Sequence, residues 1–439
     1  MKNLSNGNLT IYWMNLKKSK DLLIKGQKII PAVSQTFSKA HYSYVKGVFP
    51  TYVKSGKGSH IFDVDNNEYV DYVLGLGPVI LGYCYEPVDL AIKKQLENGI
   101  SFSMPHYLEI DFSEKIQKII PGSEMVRIAK TGSDAVTACV RAARAYTKRN
   151  HILYCGHGGV WHDWFTSITN RNQGIPKFNN ELIHLFEYNN IENITQIFKN
   201  FPDQIAAVVM EPMWLDYPDT NYFDELKSLI HQNGALLIFD EVLTGFRLAN
   251  GGGQEFLNVE ADLVAFGKAI GNGMPLAAIT GKEEYMKKFN DVFYSTTYGG
   301  ESLSLAAGIA VIDELMEKNV VKHCWKIGQT IKDGVNKLGK EIGVNVKWNG
   351  LPVRGAIEFK EEKGFSKNLI HSVFLQECIR SGTLFGPGES LICFSHNDND
   401  VKQTLNSIEL AFNKIHDGIT HNNLNHQLDG DEIKSVMSF

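Results

Sequence analysis

The sequence lacks several features that would assign a class of protein at once. Its 439 residues contain only six cysteines, and no two of them form a CxxC pair. Neither a disulfide framework nor a structural zinc site is therefore indicated, and a reducing, cytoplasmic location is expected. The net charge of -5 gives no basic surface for nucleic acid. No apolar run is long enough to span a membrane, and the amino-terminal stretch "MKNLSNGNLTIYWMNLKK" is too polar for a signal peptide.

Three common catalytic or binding motifs are also missing. No G-x-S-x-G occurs anywhere in the chain, which argues against an α/β-hydrolase. The stretch "GLGPVILG" lacks the third glycine of a dinucleotide fingerprint, so a tight turn is the better interpretation. The spacing of His157 and His162 matches no common zinc pattern, and no metal is expected.

The apolar residues, 43% of the chain, are distributed as in an α/β protein. "HIFDVDNNEYVDY" predicts a β-hairpin with its turn at Asn66 and Asn67. From about Glu86 onward, helical patterns alternate with short apolar runs, which predicts a largely parallel sheet covered on both faces. From about Leu303, two long helical patterns enclose short strands and indicate a smaller α+β domain. The last residues, "HNNLNHQLDGDEIKSVMSF", are polar and are expected to pack loosely.

A carboxylate and an amine each follow an apolar strand. "ALLIFDEV" places Asp240 and Glu241 directly after five apolar residues, and "LVAFGK" ends in Lys268. In open α/β sheets ligands bind beyond the carboxyl ends of the strands. The pair could be a buried structural ion pair. Alternatively, desolvation lowers the pKa of Lys268 and leaves a neutral amine able to attack a carbonyl, as in a Schiff base.

The stretch "AKTGSDAVTACVRAARAY" indicates a strand followed by a helix. Thr131, Gly132 and Ser133 stand at the junction, where exposed backbone N–H groups and the helix dipole favour an anion such as phosphate. An ordinary N-cap would explain the same residues equally well. In "GHGGVWHDW", Trp161 and His162 follow two glycines, and the aromatic ring could stack on a planar ligand.

One cofactor accounts for these local signals together. Pyridoxal phosphate (PLP) carries an aldehyde, a phosphate, a flat ring and a ring nitrogen, and proteins bind it through a Schiff-base lysine and an acid at the ring nitrogen. The conjunction of a lysine, a buried acid and a helix amino terminus in one alternating chain therefore predicts a PLP enzyme.

The sequence also resembles class III, fold-type-I PLP aminotransferases, and within that class it is similar to glutamate-1-semialdehyde 2,1-aminomutases. The resemblance covers about 50–415 and is carried by "DVDNNEYVDYV", "GPVILGY", "TGSDAVTACVRAARAYTKR", "DEVLTGFR" and "GKAIGNGMPLAAITG". It implies a large domain with a mostly parallel, seven-stranded sheet and a smaller α+β domain from both terminal segments. The implied division is 1–75 for the arm and part of the small domain, 76–302 for the PLP domain and 303–439 for the rest of the small domain.

The resemblance also assigns roles to individual residues. It implies that Lys268 forms the Schiff base and shuttles protons, while Asp240 pairs with the ring nitrogen. It also implies that Val242 lies under the ring and that Trp161, beside His162, lies over it. The phosphate contacts that it implies are Thr131, Gly132 and Ser133. Glu211 is implied to lie near the cofactor hydroxyl. Thr297 in "TTYGGES" matches the threonine that reaches the cofactor phosphate of the neighbouring subunit, which implies a homodimer with its active site at the subunit interface.

The chain departs from the aminomutase pattern in three places. "GSWGP" of that family is "GLGP" here, and "GTLSGNP" is "TTYGGES". The arm "TFSKAHYSYVKGVFPTYV" contains no arginine to bind a substrate carboxylate, although Lys39 or Lys46 could meet a phosphate or hydroxyl. These departures resemble a branch associated with surface-carbohydrate pathways. The candidate substrate residues are His41, Tyr42, Trp214 and Arg354, each of which could instead be a packing or surface residue.

Three functions follow as hypotheses. The first is aminotransfer from an amino-acid donor, with L-glutamate as a candidate, to an aldehyde or ketone of a sugar-like acceptor. The second is an intramolecular 2,1-aminomutase, which needs no separate donor. The third is a non-catalytic binding protein that kept the fold, which the presence of Lys268, Asp240 and Glu211 disfavours. Arg247 in "TGFR" either binds substrate or braces the loop behind Asp240.

Overall fold

The computed structural model describes residues 14–156 and 158–434. The amino-terminal stretch considered above, up to residue 13, lies outside the described residues, as does His157. The described chain forms two compact units. The first contains 14–76, 82–84 and 322–434, and the second contains 77–81 and 85–321.

The secondary structure alternates between helix and strand through most of the chain. The helices are α1 (Lys17–Gly26), α2 (Glu86–Leu96), α3 (Leu108–Ile119), α4 (Gly132–Thr147), α5 (Asp163–Thr166), α6 (Phe178–Glu181), α7 (Ile191–Asn200), α8 (Tyr222–Gln232), α9 (Gly252–Leu257), α10 (Glu283–Met286), α11 (Ser302–Glu317), α12 (Val320–Ile342), α13 (Lys367–Arg380) and α14 (Asp398–Thr420). The strands are β1 (Val53–Lys57), β2 (His60–Asp63), β3 (Glu68–Asp71), β4 (Met125–Ala129), β5 (His151–Cys155), β6 (Ile183–Leu185), β7 (Ile205–Met210), β8 (Leu236–Glu241), β9 (Leu263–Phe266), β10 (Ala277–Gly281), β11 (Val346–Leu351), β12 (Arg354–Phe359), β13 (Thr383–Leu384) and β14 (Glu389–Leu391).

The second unit is built on a seven-stranded sheet in the order β4-β10-β9-β8-β7-β5-β6. Only β10 runs antiparallel to its neighbours, and the other strand pairs are parallel. Strands β7, β8 and β9 are buried at every position, as expected of strands covered on both faces. The predicted mostly parallel sheet is confirmed, and the helix α11 belongs to this unit.

Helix α4 shows how local sequence sets an element of this unit. Thr131 and Asp134 form a capping box at its amino terminus, because each side chain accepts the other residue's backbone N–H. Its alanine-rich buried face, including Ala135, Cys139 and Ala142, packs in the core of the unit. The sequence therefore fixes both the start of the helix and the face it buries.

The first unit carries a four-stranded sheet, β1-β2-β3-β13, and an antiparallel three-stranded sheet, β11-β12-β14. The predicted hairpin is confirmed as β2 and β3, with Asn66 in a left-handed conformation at φ 68°. The expectation of a loosely packed tail is wrong for the described residues. Leu424 and Ile433 are buried, and the Ile433 N–H donates to Ser372 Oγ at 3.0 Å.

No helix of the described chain combines the length and the apolar character that crossing a membrane requires.

Candidate active site

Asp240 lies near the carboxyl end of β8, and Lys268 follows the adjacent parallel strand β9 in the second unit. Strands β8 and β9 pair with Asp240 opposite Ala265, so both strands end at the same edge of the sheet. Asp240 is only 5% exposed, and its Oδ1 accepts the Val242 N–H at 3.1 Å. Lys268 is half-buried and has a positive φ of 46°, which is uncommon for a residue with a side chain and frequent at functional sites.

The turn that carries Lys268 is fixed by backbone contacts. Lys268–Gly271 is a short 3-10 turn that ends at Asn272, which is itself left-handed. The Asn272 side-chain oxygen accepts the Leu81 N–H at 2.9 Å. The turn that carries the lysine is therefore fixed by hydrogen bonds at its end.

Two glycines bring the helix α4 and the Lys268 turn to Val242. A Cβ at Gly132 would lie 2.5 and 2.7 Å from the two methyl groups of Val242. A Cβ at Gly267 would lie 3.2 Å from a Val242 methyl and 3.7 Å from the backbone of Gly132. Since Gly267 precedes Lys268 and Val242 follows Asp240 closely, the lysine, the acid and the helix amino terminus converge on one point.

The amino terminus of α4 offers donors for an anion. Gly132 and Ser133 are the first two residues of α4, so their N–H groups have no acceptor within the helix, and the Thr131 side chain accepts the N–H of Asp134. The Ser133 hydroxyl donates to the Gly159 carbonyl and accepts the Trp161 N–H, both at 3.3 Å. This arrangement ties the loop before α5 to the same helix terminus.

Tyr154 is a site residue that the sequence analysis missed. It is fully buried on β5, and its hydroxyl accepts the Gly158 N–H at 3.1 Å. Burial raises its pKa well above the ordinary range, and the carboxylates of Asp240 and Glu211 add to that rise. A Cβ at Gly158 would lie 3.1 Å from Asp240 Oδ2, so the loop passes directly over this acid. A tyrosine at the end of an apolar strand was the only signal for it.

Trp161 and His162 stack on each other, with ring centroids 4.3 Å apart. The Trp161 side chain is 69% exposed and can meet a flat ligand, whereas His162 is anchored. His162 Nδ1 lies 2.9 Å from the hydroxyl of Thr137, which also accepts the Trp164 indole N–H at 2.8 Å. Burial lowers the pKa of His162. Thr137 was missed by the sequence analysis, although it lies one turn after Ser133 on α4.

Thr297 lies in an exposed loop of the second unit that precedes α11. Glu301 ends this loop and caps α11, since its carboxylate accepts the N–H groups of Leu303 and Ser304. The same carboxylate binds Lys130 Nζ at 3.0 Å, with both side chains largely buried. Because Lys130 directly precedes Thr131, this ion pair joins the Thr297 loop to the start of α4.

Glu241 and Arg247 have structural partners. Glu241 is fully buried and accepts the backbone N–H groups of Gly253 and Gln254 at 2.6 and 2.9 Å. Burial raises its pKa to about 7. Arg247 is also buried and donates to the Gly77 carbonyl at 2.9 Å, so it braces the "GLGP" loop.

The candidate substrate residues are divided between the units. Trp214 is half-buried in the second unit, whereas His41, Tyr42 and Arg354 belong to the first. Arg354 is 1% exposed and forms a bidentate pair with Glu389, at 2.7 and 2.8 Å. His41 Nδ1 is buried without a hydrogen-bond partner among the described residues.

Comparisons with known proteins give the family of the chain. The family described as aminotransferase class-III matches residues 42–395. The chain belongs to this class III aminotransferase family, whose members use PLP. The 3-aminobutyryl-CoA aminotransferase of Cloacimonas acidaminovorans is 32% identical over 411 residues, 92% of this chain and 98% of that protein. The glutamate-1-semialdehyde 2,1-aminomutase of Alkaliphilus oremlandii is 33% identical over 432 residues, 91% of this chain and 99% of that protein.

Two solved structures share the fold. The FumI protein of Sphingopyxis sp. MTA144, in its PLP internal aldimine form, has a TM-score of 0.87 at 23% identity and covers 92% of this chain and 98% of its own. A glutamate-1-semialdehyde aminomutase from Pseudomonas aeruginosa PAO1 has a TM-score of 0.81 at 18% identity, covering 91% and 95%. The predicted fold-type-I PLP transferase architecture, the enzyme class and the cofactor are confirmed.

Proposed function

We propose that this class III enzyme moves an amino group from an amino-acid donor, with L-glutamate as the candidate, to an aldehyde or ketone acceptor. The observation that carries the proposal is the convergence of Lys268, Asp240 and the amino terminus of α4 at Val242. A purely structural Asp–Lys pair would not require the two close glycine contacts or a helix terminus with unused N–H groups.

The residues of this site fit PLP in charge and shape. Lys268 would hold the aldehyde carbon, and the buried Asp240 would bind the ring nitrogen. The free N–H groups at Gly132 and Ser133 suit a phosphate, and Val242 and Trp161 offer apolar surfaces for the two faces of the ring. Tyr154 feels the charges of both Asp240 and Glu211, and the three residues would complete the polar side of the site.

The cofactor and the side chains of the protein would contribute different parts of the reaction. When bound, PLP supplies an electron sink that stabilises a carbanion at the substrate α-carbon. The amine of Lys268 would take the proton from the α-carbon of the donor and, in the second half of the reaction, would give a proton to the former carbonyl carbon of the acceptor. An ionised Asp240 would keep the ring nitrogen protonated. Its burial excludes competing water, which would strengthen this ionic contact.

A homodimer is part of the proposal. The second unit exposes apolar side chains before and along α3, with Met104 at 80% and Tyr107 at 63%, and Phe293 is 84% exposed near Thr297. Contiguous exposed apolar side chains on a protein surface typically mark an interaction site. Pairing of two copies would bury them and would bring Thr297 to the cofactor phosphate of the partner subunit.

The acceptor is proposed to be polyhydroxylated. The arm contains no arginine that could form a bidentate pair with a carboxylate of the acceptor, whereas Lys39 or Lys46 could meet a hydroxyl. The link to surface carbohydrates rests on resemblance alone. The intramolecular aminomutase stays as the alternative, because aminomutases are among the relatives at 33% identity.

A single-turnover experiment separates these functions. The purified holoenzyme is mixed with L-glutamate alone, while the absorbance of the cofactor and the release of 2-oxoglutarate are followed. Aminotransfer predicts bleaching of the PLP band and about one 2-oxoglutarate per active site. Bleaching without a released oxo acid, or no change with any amino acid, would reject it. Asp240→Asn should retain PLP and lose the half-reaction, whereas Lys268→Ala should lose both the half-reaction and the lysine-bound spectrum.

A further inference from the structure

The first unit contains a small cavity whose lining includes the candidate substrate residue His41 but none of the residues that converge on Val242. It lies between α1 and the segment 39–51 and has a volume of about 50 Å³. Since a single buried water needs roughly 10–15 Å³ measured in this way, the cavity has room for a group somewhat larger than one water. We call it the arm cavity.

The charges around the arm cavity have one sign. Lys20, Lys39 and Lys46 line it, and no aspartate or glutamate does. Within the described chain, Lys20 and Lys39 have no carboxylate at ion-pairing distance, and Lys46 reaches Asp431 at 3.5 Å in a pair that is mostly exposed. Such an exposed pair is worth little and leaves most of the positive potential in place.

Neutral donors add to these ammonium groups. His41 lines the cavity, and its Nδ1 is buried without a hydrogen-bond partner among the described residues. Burial and the charge of Lys46 lower the pKa of His41, so the ring is neutral at pH 7 and can still donate one N–H. The Ser19 hydroxyl also lines the cavity, where its oxygen accepts the Thr51 N–H at 2.7 Å.

One buried acid interacts with this cluster but forms no ion pair with it in the described chain. Asp71 feels the charge of Lys39, while its carboxylate accepts the Tyr83 hydroxyl at 2.6 Å and the Val73 N–H at 2.7 Å. All three lysine side chains are exposed, so solvent screens the repulsion between them, and an anion in the cavity would give each of them an attractive partner. Lysines act as point charges with rotatable donors, which suits a tetrahedral oxyanion better than the planar fork of a carboxylate.

We infer that the arm cavity binds a phosphate group. The size admits one phosphate but not the remainder of a nucleotide, so a larger ligand would place only its phosphate there. This inference does not rest on the proposed aminotransfer, because the cavity is formed entirely within the first unit.

Calorimetric titration of the PLP-saturated enzyme with inorganic phosphate tests the inference, since PLP covers the separate anion site at α4. The test variant is Lys20→Met/Lys39→Met. The control is Lys25→Met/Lys57→Met, which removes the same charge from exposed lysines outside the cavity. We expect saturable binding that weakens at least about tenfold in the test variant, a change of roughly 1.4 kcal/mol, and less than about twofold in the control.

Two results would overturn the inference: no saturable binding to the wild type, or equal weakening in the two variants.

A second titration uses coenzyme A as a probe that carries its phosphates on a large molecule. If coenzyme A displaces phosphate in the wild type only, the cavity takes the phosphate of an organic ligand. If inorganic phosphate binds and coenzyme A does not compete, the ligand is the free anion. Loss of the L-glutamate half-reaction with phosphate binding retained would refute the proposed function alone.

Discussion

Gly132 provides a quantitative test of the convergence at Val242. A methyl group added at this position would lie 2.5 and 2.7 Å from the Val242 methyls, well inside van der Waals contact. Overpacking of this kind costs about 1–3 kcal/mol, whereas Gly→Ala in a helix otherwise gains up to about 1 kcal/mol. Gly132→Ala should therefore displace α4 from the Lys268 turn, at a net free-energy cost of about 1–2 kcal/mol to the arrangement that binds the cofactor.

The assay is titration of the apoenzyme with PLP. Gly132→Ala should raise the dissociation constant of PLP by roughly tenfold, in line with 1.4 kcal/mol per factor of ten. Val242→Ala removes both clashing methyls and leaves only a contact at 3.2 Å, so the double variant should bind PLP within about threefold of Val242→Ala alone. Gly388→Ala is the control, because a Cβ there meets nothing within 4 Å. Unchanged PLP affinity in Gly132→Ala, or no recovery in the double variant, would refute the reasoning.

Two further predictions concern buried charges outside the reaction itself. Glu301→Gln should lower the melting temperature because it leaves Lys130 buried without its counter-charge, and adding Lys130→Met should recover part of the loss. Additive losses in that double variant would show that the two residues act separately. The pKa of Glu241 is raised from 4.5 to about 7, so its contribution to stability is complete below pH 4.5 and is lost as the pH rises through 7. Between pH 5 and 8, wild type should lose about 2 kcal/mol relative to Glu241→Gln in urea unfolding, and a pH-independent difference would contradict the assignment.

Local patterns were sufficient for the elements that form the site. The apolar runs before Asp240 and Lys268 become β8 and β9, and Thr131 caps α4 as its sequence indicates. Their meeting at one edge follows from a general property of parallel sheets rather than from a specific contact. This is why the chemistry of the site could be inferred before the fold was known.

Contacts between distant parts of the chain could not be inferred in this way. Lys130 and Glu301 are 171 residues apart in sequence, and nothing in either local pattern identifies the other. Arg354 was a substrate candidate on its residue type alone, while its buried pairing with Glu389 depends on the register of β12 and β14. The tail was expected to be loose from its polarity, yet two apolar residues within it suffice to anchor it.

The most direct test of the central claim is to locate the lysine that carries PLP. Reduction of the holoenzyme with borohydride fixes the cofactor to its lysine, and peptide mapping by mass spectrometry then identifies the residue. The account predicts one phosphopyridoxyl group per chain, on Lys268, and none in Lys268→Ala. A label on another lysine, or an unmodified Lys268 in protein that contains PLP, would contradict it.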